Sequence, residues 1–389
     1  YVFFESEEEK EGIELLQENV KAILENEGTI SPAWIAVLGA YRPLYSFSWA
    51  NDLLKTEWPD EVKKVIVRQV DNVKEEQNLR SKIPCLTPIK DGVSKLVRDQ
   101  YEENPYPRWI NAGLPEKGTS LTHILRDIHI RRDSVQEHSS SKLEILVAGC
   151  GTGQHALITA TRFLNCNVLA LDLSLSSLAY ALRKTRELGI KNITYIQGDI
   201  LELEELERSE GFDIIESVGV LHHMDNPLLG WKTLVDILRS GGLMKIGLYS
   251  NIARDHIVEA RRQIAREKYT ASSEDIRRYR KEILNMGRHP DSEISKVLDL
   301  SGFYSLSECR DLLFHVEEQR FTLPQIEQAL RDLGLEFLGF ELKLSTVRNR
   351  FRKLYPENNA LSSLELWHRY ELANPDTFRG MYQFWVCKI

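Results

Sequence analysis

Cysteine is scarce in this chain, basic charge is not in excess, and no long apolar run occurs. The five cysteines among 389 residues, Cys85, Cys150, Cys166, Cys309 and Cys387, are scattered and odd in number. They form no C-x-x-C pair, so neither a zinc site nor a disulfide framework is expected, and a reducing cytoplasm suits them. The formal net charge is −8. Phosphate binding wants a basic face, so nucleic acid is not the expected partner. No apolar stretch approaches the ~20 residues of a membrane span, and no signal peptide is visible. No internal repeat of solenoid period is present. The chain opens on apolar residues without a methionine, as if cut from a longer polypeptide.

One stretch stands out against this background. Leu143–Gly153 reads LEILVAGCGTG. Ile145, Leu146 and Val147 suit a fully buried parallel strand. Gly149, Gly151 and Gly153 follow at once, and a turn this rich in glycine permits positive φ and close approach to a ligand. Helical character from Gln154 to Leu164 completes a strand–turn–helix unit that aims backbone N–H groups at whatever sits on the turn. A second strand, Asn167–Leu171, ends at Asp172. A carboxylate ~20 residues past the glycines commonly accepts hydrogen bonds from a ribose diol. Gln154 stands where G-x-G-x-x-G has its third glycine. A dinucleotide needs that helix start for its pyrophosphate, so a nicotinamide oxidoreductase is disfavoured. A sulfonium cofactor carries no phosphate.

Here the chain resembles the class I S-adenosylmethionine-dependent methyltransferases. The residues that carry the resemblance are AGCGTG at Ala148–Gly153, Asp172, Gly198-Asp199, FDIIESVGVLHHM at Phe212–Met224 and LRSGGLMKIGLYS at Leu238–Ser250. By that resemblance Gly149, Cys150, Gly151 and Gly153 flank the methionine portion of the cofactor. Asp172 takes the ribose hydroxyls with Leu173 beside it, Asp199 faces the adenine amino group with Ile200 beside it, and Val218 and His223 line the same site. The stretch YEENPYPRW at Tyr101–Trp109 further resembles a subset in which a helical or tetratricopeptide-repeat-associated segment precedes the catalytic domain.

The implied fold is α/β. It is a Rossmann-like doubly wound sheet, mostly parallel, with an antiparallel C-terminal hairpin, an N-terminal helical domain and a helical cap. The expected divisions are a helical domain at 1–110, a connector at 111–142 and the cofactor-binding core at 143–250. A helical cap at 251–333 and the C-terminal strands with an inserted helical segment at 334–389 complete the chain. In the first domain, helices are expected at Glu7–Asn26, from a Ser31 cap to Tyr41, and at Asp60–Asn78. In the core, a helix is expected at Pro227–Arg239, leading through Gly241-Gly242 to a strand at Leu243–Leu248.

Methyl transfer needs a nucleophile in line with the sulfonium methyl and somewhere for a proton to go. Candidates for that proton are His222, His223, Tyr249, His315 and Tyr106. Tyr106, Arg108 and Trp109 are expected to close over the site, and Arg261, in the basic stretch of the cap, to meet an acidic substrate. No metal is expected, because adjacent histidines rarely share one ligand sphere. The expected substrate is a small molecule, with a protein or carrier-bound acceptor, or a non-catalytic cofactor-binding module, as the alternatives.

Overall fold

The computed structural model describes residues 5–130, 142–206, 210–287, 292–342 and 344–389. The first four residues, and residues 131–141 of the expected 111–142 connector, lie outside them. The chain forms two compact units. One comprises Tyr1–Lys82 and Ala260–Phe314, the other Ile83–Glu259 and His315–Ile389. The expected cap at 251–333 is therefore shared between both units.

The first unit is helical. Its N-terminal helix, Glu7–Glu25, starts in a capping box between Ser6 and Glu9, which satisfies two N–H groups that the first turn leaves without partners. Pro32–Tyr41 follows, with proline at its first position, where its missing N–H costs nothing. The expected third helix runs Asp60–Arg80, with a π-helical turn at Val67–Asp71. Ile13, Val20, Ile35, Leu38, Leu44, Ile66 and Val70 are buried together. In the second segment of this unit, Ser273–Met286 buries Ile276, Tyr279 and Ile283. The helix Leu306–Leu313, which the pattern did not predict, buries Cys309 and Leu313.

The second unit is built on a seven-stranded sheet. Its strands are β1 (Leu143–Ala148), β2 (Cys166–Asp172), β3 (Ile193–Gln197), β4 (Phe212–Val218), β5 (Leu238–Leu248), β6 (Leu335–Phe340) and β7 (Tyr382–Lys388). Their order is β3-β2-β1-β4-β5-β7-β6. The first five strands are parallel, and β7 runs antiparallel to both β5 and β6. This is the doubly wound sheet with an antiparallel C-terminal pair that the motifs implied. The order reverses between β1 and β4, and ligands bind beyond the carboxyl ends of the strands at such a switch point.

Two local details differ from the pattern. The helix at Pro227 ends at Asp236, and β5 begins at Leu238 rather than Leu243. The register slips between the Phe212–Leu238 and Ile214–Leu243 pairs. Gly241 has φ +72° and a Cβ on Gly242 would meet the Arg239 carbonyl at 2.8 Å, so the glycine pair makes a bulge inside the strand and not a turn before it. The long connection between β6 and β7 holds the helices Ser345–Leu354 and Leu364–Ala373. Phe351 and Trp367 stack there with centroids 3.7 Å apart, and Tyr370 packs against them.

Candidate active site

The second unit gathers the site at the carboxyl ends of β1, β2, β4 and β5. After β1 the backbone turns through Gly149, Gly151 and Gly153 at φ +75°, +52° and +82°. L side chains rarely adopt this region. A Cβ at Gly149 would lie 2.3 Å from Val220 Cγ2, and one at Gly153 would lie 2.5 Å from Ala181 Cβ. The Gly149 and Cys150 N–H groups both donate to the Leu171 carbonyl, at 2.8 and 3.0 Å. The turn is thus tied to the end of β2. Cys150 is buried, and burial holds its thiol well above the usual range, so its part in the turn is its backbone.

Asp172 closes β2. Its Oδ2 accepts from the Gly151 N–H at 2.7 Å and its Oδ1 from the Ser174 N–H at 2.9 Å. Burial pushes this carboxyl up to about 6 against the pull of those donors, and Glu102 adds to the rise. Each oxygen keeps a second lone pair for a ligand hydroxyl. The Asp199 carboxylate follows β3. Its Oδ1 accepts from the Leu201 N–H at 3.0 Å, while its Oδ2 is buried without a hydrogen-bond partner. Burial raises this carboxyl too, with Ser94 and the Leu201 N–H opposing. A buried acceptor left like this calls for a donor. Ile200 is buried beside it, the Leu173 carbonyl accepts from Gln197 Nε2 at 2.9 Å, and Val218 ends β4. A cradle that a Cβ would fill, a carboxylate at the end of β2 bonded to the Gly151 N–H and a buried carboxylate oxygen without a donor all fit an adenosyl cofactor.

The segment with two prolines lies across the turn. The Tyr106 carbonyl is 3.1 Å from where a Cβ of Gly151 would be. Thr152 Oγ1 donates to the Pro107 carbonyl, and Trp109 Nε1 donates to the Thr152 carbonyl at 3.1 Å. Tyr180 donates its hydroxyl hydrogen to the Trp109 carbonyl, and Glu102 accepts from both the N–H and the hydroxyl of Ser176. Arg108 sits over the Tyr180 ring, 5.7 Å from its centroid. The segment is therefore bolted to the glycine turn and to the helix Leu175–Glu187.

The histidines after β4 are held by a strap, His315–Phe321, that the sequence did not single out as a unit. Gln319 N–H donates to the His222 carbonyl at 2.7 Å, and its Nε2 reaches the Met224 and Asp225 carbonyls. Phe321 N–H donates to the Tyr249 carbonyl at 2.9 Å. The strap thus bridges the ends of β4 and β5. There the Arg254 guanidinium lies 3.6 Å from the Tyr249 ring centroid, and the His222 ring stacks on Tyr249 with centroids 3.7 Å apart at 25°. His223 stacks on His315 at 3.6 Å. Arg254 is paired with Glu318, both buried, at 3.2 and 2.7 Å. Burial, with His223, Arg254 and His315 nearby, holds His222 well below the usual histidine range.

Four of the five proton-transfer candidates, His222, His223, Tyr249 and His315, are thus brought together, and Tyr106 lies at the glycine turn. Arg261 lies in the other unit, where Nη1 reaches the Leu313 carbonyl at 3.4 Å. Sequence reasoning missed Arg254 as a stacked, buried cation, Glu318 as its partner, and Tyr101, whose hydroxyl meets His315 Nε2 at 3.2 Å. No local pattern marks them, because their partners lie 64 and 214 residues away. Among the described residues no group of histidine, cysteine and carboxylate side chains could hold a metal ion, and no helix is long and apolar enough to cross a membrane.

The family model described as a methyltransferase domain matches residues 139–286. A ubiquinone biosynthesis O-methyltransferase of Rickettsia canadensis is 31% identical over 43% of this chain and 68% of its own length. An uncharacterized protein of a Synechococcus strain is 29% identical over 76% of this chain and 73% of its own. The chain spans only 32% of the length of two N-methyltransferases from Papaver species that it also matches. Among solved structures, PKMT2 from Rickettsia typhi in complex with AdoHcy superposes with a TM-score of 0.53 at 16% identity, covering 73% of this chain and 55% of that one, which is a likeness of fold. The chain belongs to the class I S-adenosylmethionine-dependent methyltransferases.

Proposed function

We propose that this methyltransferase acts on a small molecule and that the reaction occurs in the second unit, between the glycine turn and the histidine strap. The observation that carries the reading is the meeting of three distant segments at one turn: Gly149 against Val220, and Gly151 against both the Asp172 carboxylate and the Tyr106 carbonyl. In this reading Asp172 and Asp199 receive the ribose and adenine donors, with Gly149, Cys150, Gly151 and Gly153 as the floor under the methionine part. Val218, Leu173 and Ile200 line the remaining walls. The cofactor, when bound, supplies an already activated methyl group. The chain's own residues then orient the acceptor, exclude water and take up its proton.

A small acceptor is favoured because His222 and His223, and His315 of the strap itself, are all more than nine-tenths buried. The name of the Rickettsia canadensis relative, a ubiquinone biosynthesis O-methyltransferase, points the same way. The four buried cysteines, all free thiols, suit a reducing cytoplasm. Calorimetry on the purified chain should give S-adenosylhomocysteine binding and no NAD binding. NAD binding without a response to S-adenosylhomocysteine would reject the assignment.

A further inference from the structure

The helix after the glycine turn, Gln154–Arg162, meets the sheet through a polar layer, where helices usually rest on apolar side chains. Glu216 of β4 pairs in register with Lys245 of β5, and Lys245 with Trp385 of β7, so the three side chains stand on one face of the sheet. All three are buried. On the helix, His155, Thr159 and Arg162 are spaced i, i+4 and i+7, which puts them on one face. The two rows interlock. His155 Nε2 lies 2.8 Å from Glu216 Oε2, and Thr159 donates its hydroxyl hydrogen to the same oxygen. A carboxylate can only accept, so His155 carries a hydrogen on Nε2. At the other end of the helix Arg162 Nη1 lies 3.4 Å from Glu341 Oε1, one residue past β6. Lys245 Nζ and Trp385 Nε1 both reach Glu341 Oε2 at 2.9 Å. Burial works to raise the Glu216 carboxyl, but His155, Lys245 and Thr159 hold it down at about 2.

A buried ionic layer adds little stability, because desolvation offsets most of the attraction; its best-attested use is to fix register. Directed bonds do so where apolar contacts would let a helix slide or rotate. Register matters at this helix because the turn leading into it has no slack. The helix starts from Gly153, two residues before His155. A Cβ on Gly153 would lie 2.5 Å from Ala181 Cβ, and one on Gly149 would lie 2.3 Å from Val220 Cγ2. Glu216 stands two residues before the end of β4, on the strand that leads to Val220. Resting on the methyl-transfer reading, we propose that His155 and Glu216 are positioning residues: with Thr159 they lock the first turn of the helix to β4 and so hold the glycine turn in the geometry that receives the methionine portion of the cofactor. They act through the backbone of the turn.

The test uses the full chain, with urea unfolding, calorimetry with S-adenosylhomocysteine and amide hydrogen exchange of the free protein. One variant combines His155→Leu, Thr159→Val and Glu216→Leu. It makes the layer apolar at the first turn and leaves Lys245 paired with Glu341. Its urea midpoint should hold or rise, because a well-packed apolar replacement of a buried ion pair is often neutral or stabilising. Its Kd for S-adenosylhomocysteine should nonetheless rise at least ~10-fold, since the support of the site is lost. The Gly149, Cys150 and Gly151 amides, which bond to Leu171 and Asp172, should exchange at least ~10-fold faster while those inside β1 and β4 stay native. A purely structural layer would move midpoint and affinity together. A native Kd with native exchange at the turn overturns the proposal, and so does a Kd that rises only with a fall in the midpoint. If the triple variant does not fold, single changes at the part-exposed His155 decide. His155→Gln keeps a side-chain N–H for Glu216 and should bind within about twofold of the native chain, whereas His155→Leu should bind at least ~5-fold more weakly. Equal Kd values for the two overturn the proposal. A native chain that does not bind S-adenosylhomocysteine at all instead defeats the methyl-transfer reading on which it rests.

Discussion

The glycine turn at 149–153 and the strap at 315–321 both lie across strand ends of one sheet, but they are made in opposite ways. The turn depends on residue type. Three positive φ angles and two sub-van der Waals Cβ positions exclude every side chain larger than hydrogen. The strap depends on main-chain bonds. Glu317, Gln319 and Phe321 hold His223, His222 and Tyr249 through N–H and C=O groups that any non-proline residue would supply. A region built from residue type leaves a signature in sequence, and a region built from backbone geometry leaves almost none.

The largest effect that would break this comparison is at the side-chain anchor of the strap. Glu318→Ala strands the buried Arg254 and removes the partner of Arg320, and should cost about 3–5 kcal/mol, read as a drop in the urea midpoint. A loss under ~1 kcal/mol would mean that backbone bonds alone hold the strap. Next comes Gly151→Val. A side chain at φ +52° meets the Tyr106 carbonyl at 3.1 Å, so S-adenosylhomocysteine binding should be abolished while the far-ultraviolet circular dichroism stays native. Retained binding would show that the turn is not the cofactor floor.

Asp172→Ala should weaken S-adenosylhomocysteine binding by ~1–3 kcal/mol, since it leaves ligand hydroxyls and the Gly151 N–H without their acceptor. The pH dependence gives a second check. The folded carboxyl, at about 6, lies above its ordinary 3.8. Its stabilising contribution is therefore full below 3.8 and is lost as pH rises through 6. The native free chain should lose stability over that window relative to Asp172→Ala, and parallel curves for the two would exclude the shift.

The smallest expected effect is at His222. Its folded pKa lies below its ordinary value, so the unfolded chain binds the proton first and stability falls as pH drops below ~6.5. His222→Phe keeps a ring against Tyr249 and should differ little at pH 8, while its urea midpoint holds up better than the native chain's towards pH 5. Equal acid sensitivity would mean that His222 is not the buried neutral ring described here.

Much of the second unit was legible in the chain. The apolar run at Ile145–Val147, buried on both faces, reads as a parallel strand, and the strand expected at Asn167–Leu171 lies within a residue of β2 at each end. The C-terminal antiparallel pair was implied by the resemblance to the methyltransferases. The start of β5 was not, because a glycine pair reads equally as turn or bulge until the Phe212–Leu238 pairing is known. The helix Leu306–Leu313 was missed as well; its buried Cys309 and Leu313 belong to a cluster assembled from remote segments.

By itself, then, the amino-acid order determined the strands, the turn that only glycine can make and the carboxylate at Asp172, because each is dictated by local sterics, periodicity or spacing along one β–α unit, whereas Asp199 was pointed to by the resemblance to methyltransferases alone. It also supplied His222, His223, Tyr249 and His315 as candidates, without ranking them. The tertiary structure decided the rest. It brought His315 onto His223 across ninety-two positions, laid Arg254 on Tyr249, and gave Glu317 backbone contacts with both stacked histidines. Which atom faces an imidazole is decided in space, and a one-dimensional pattern carries no record of that.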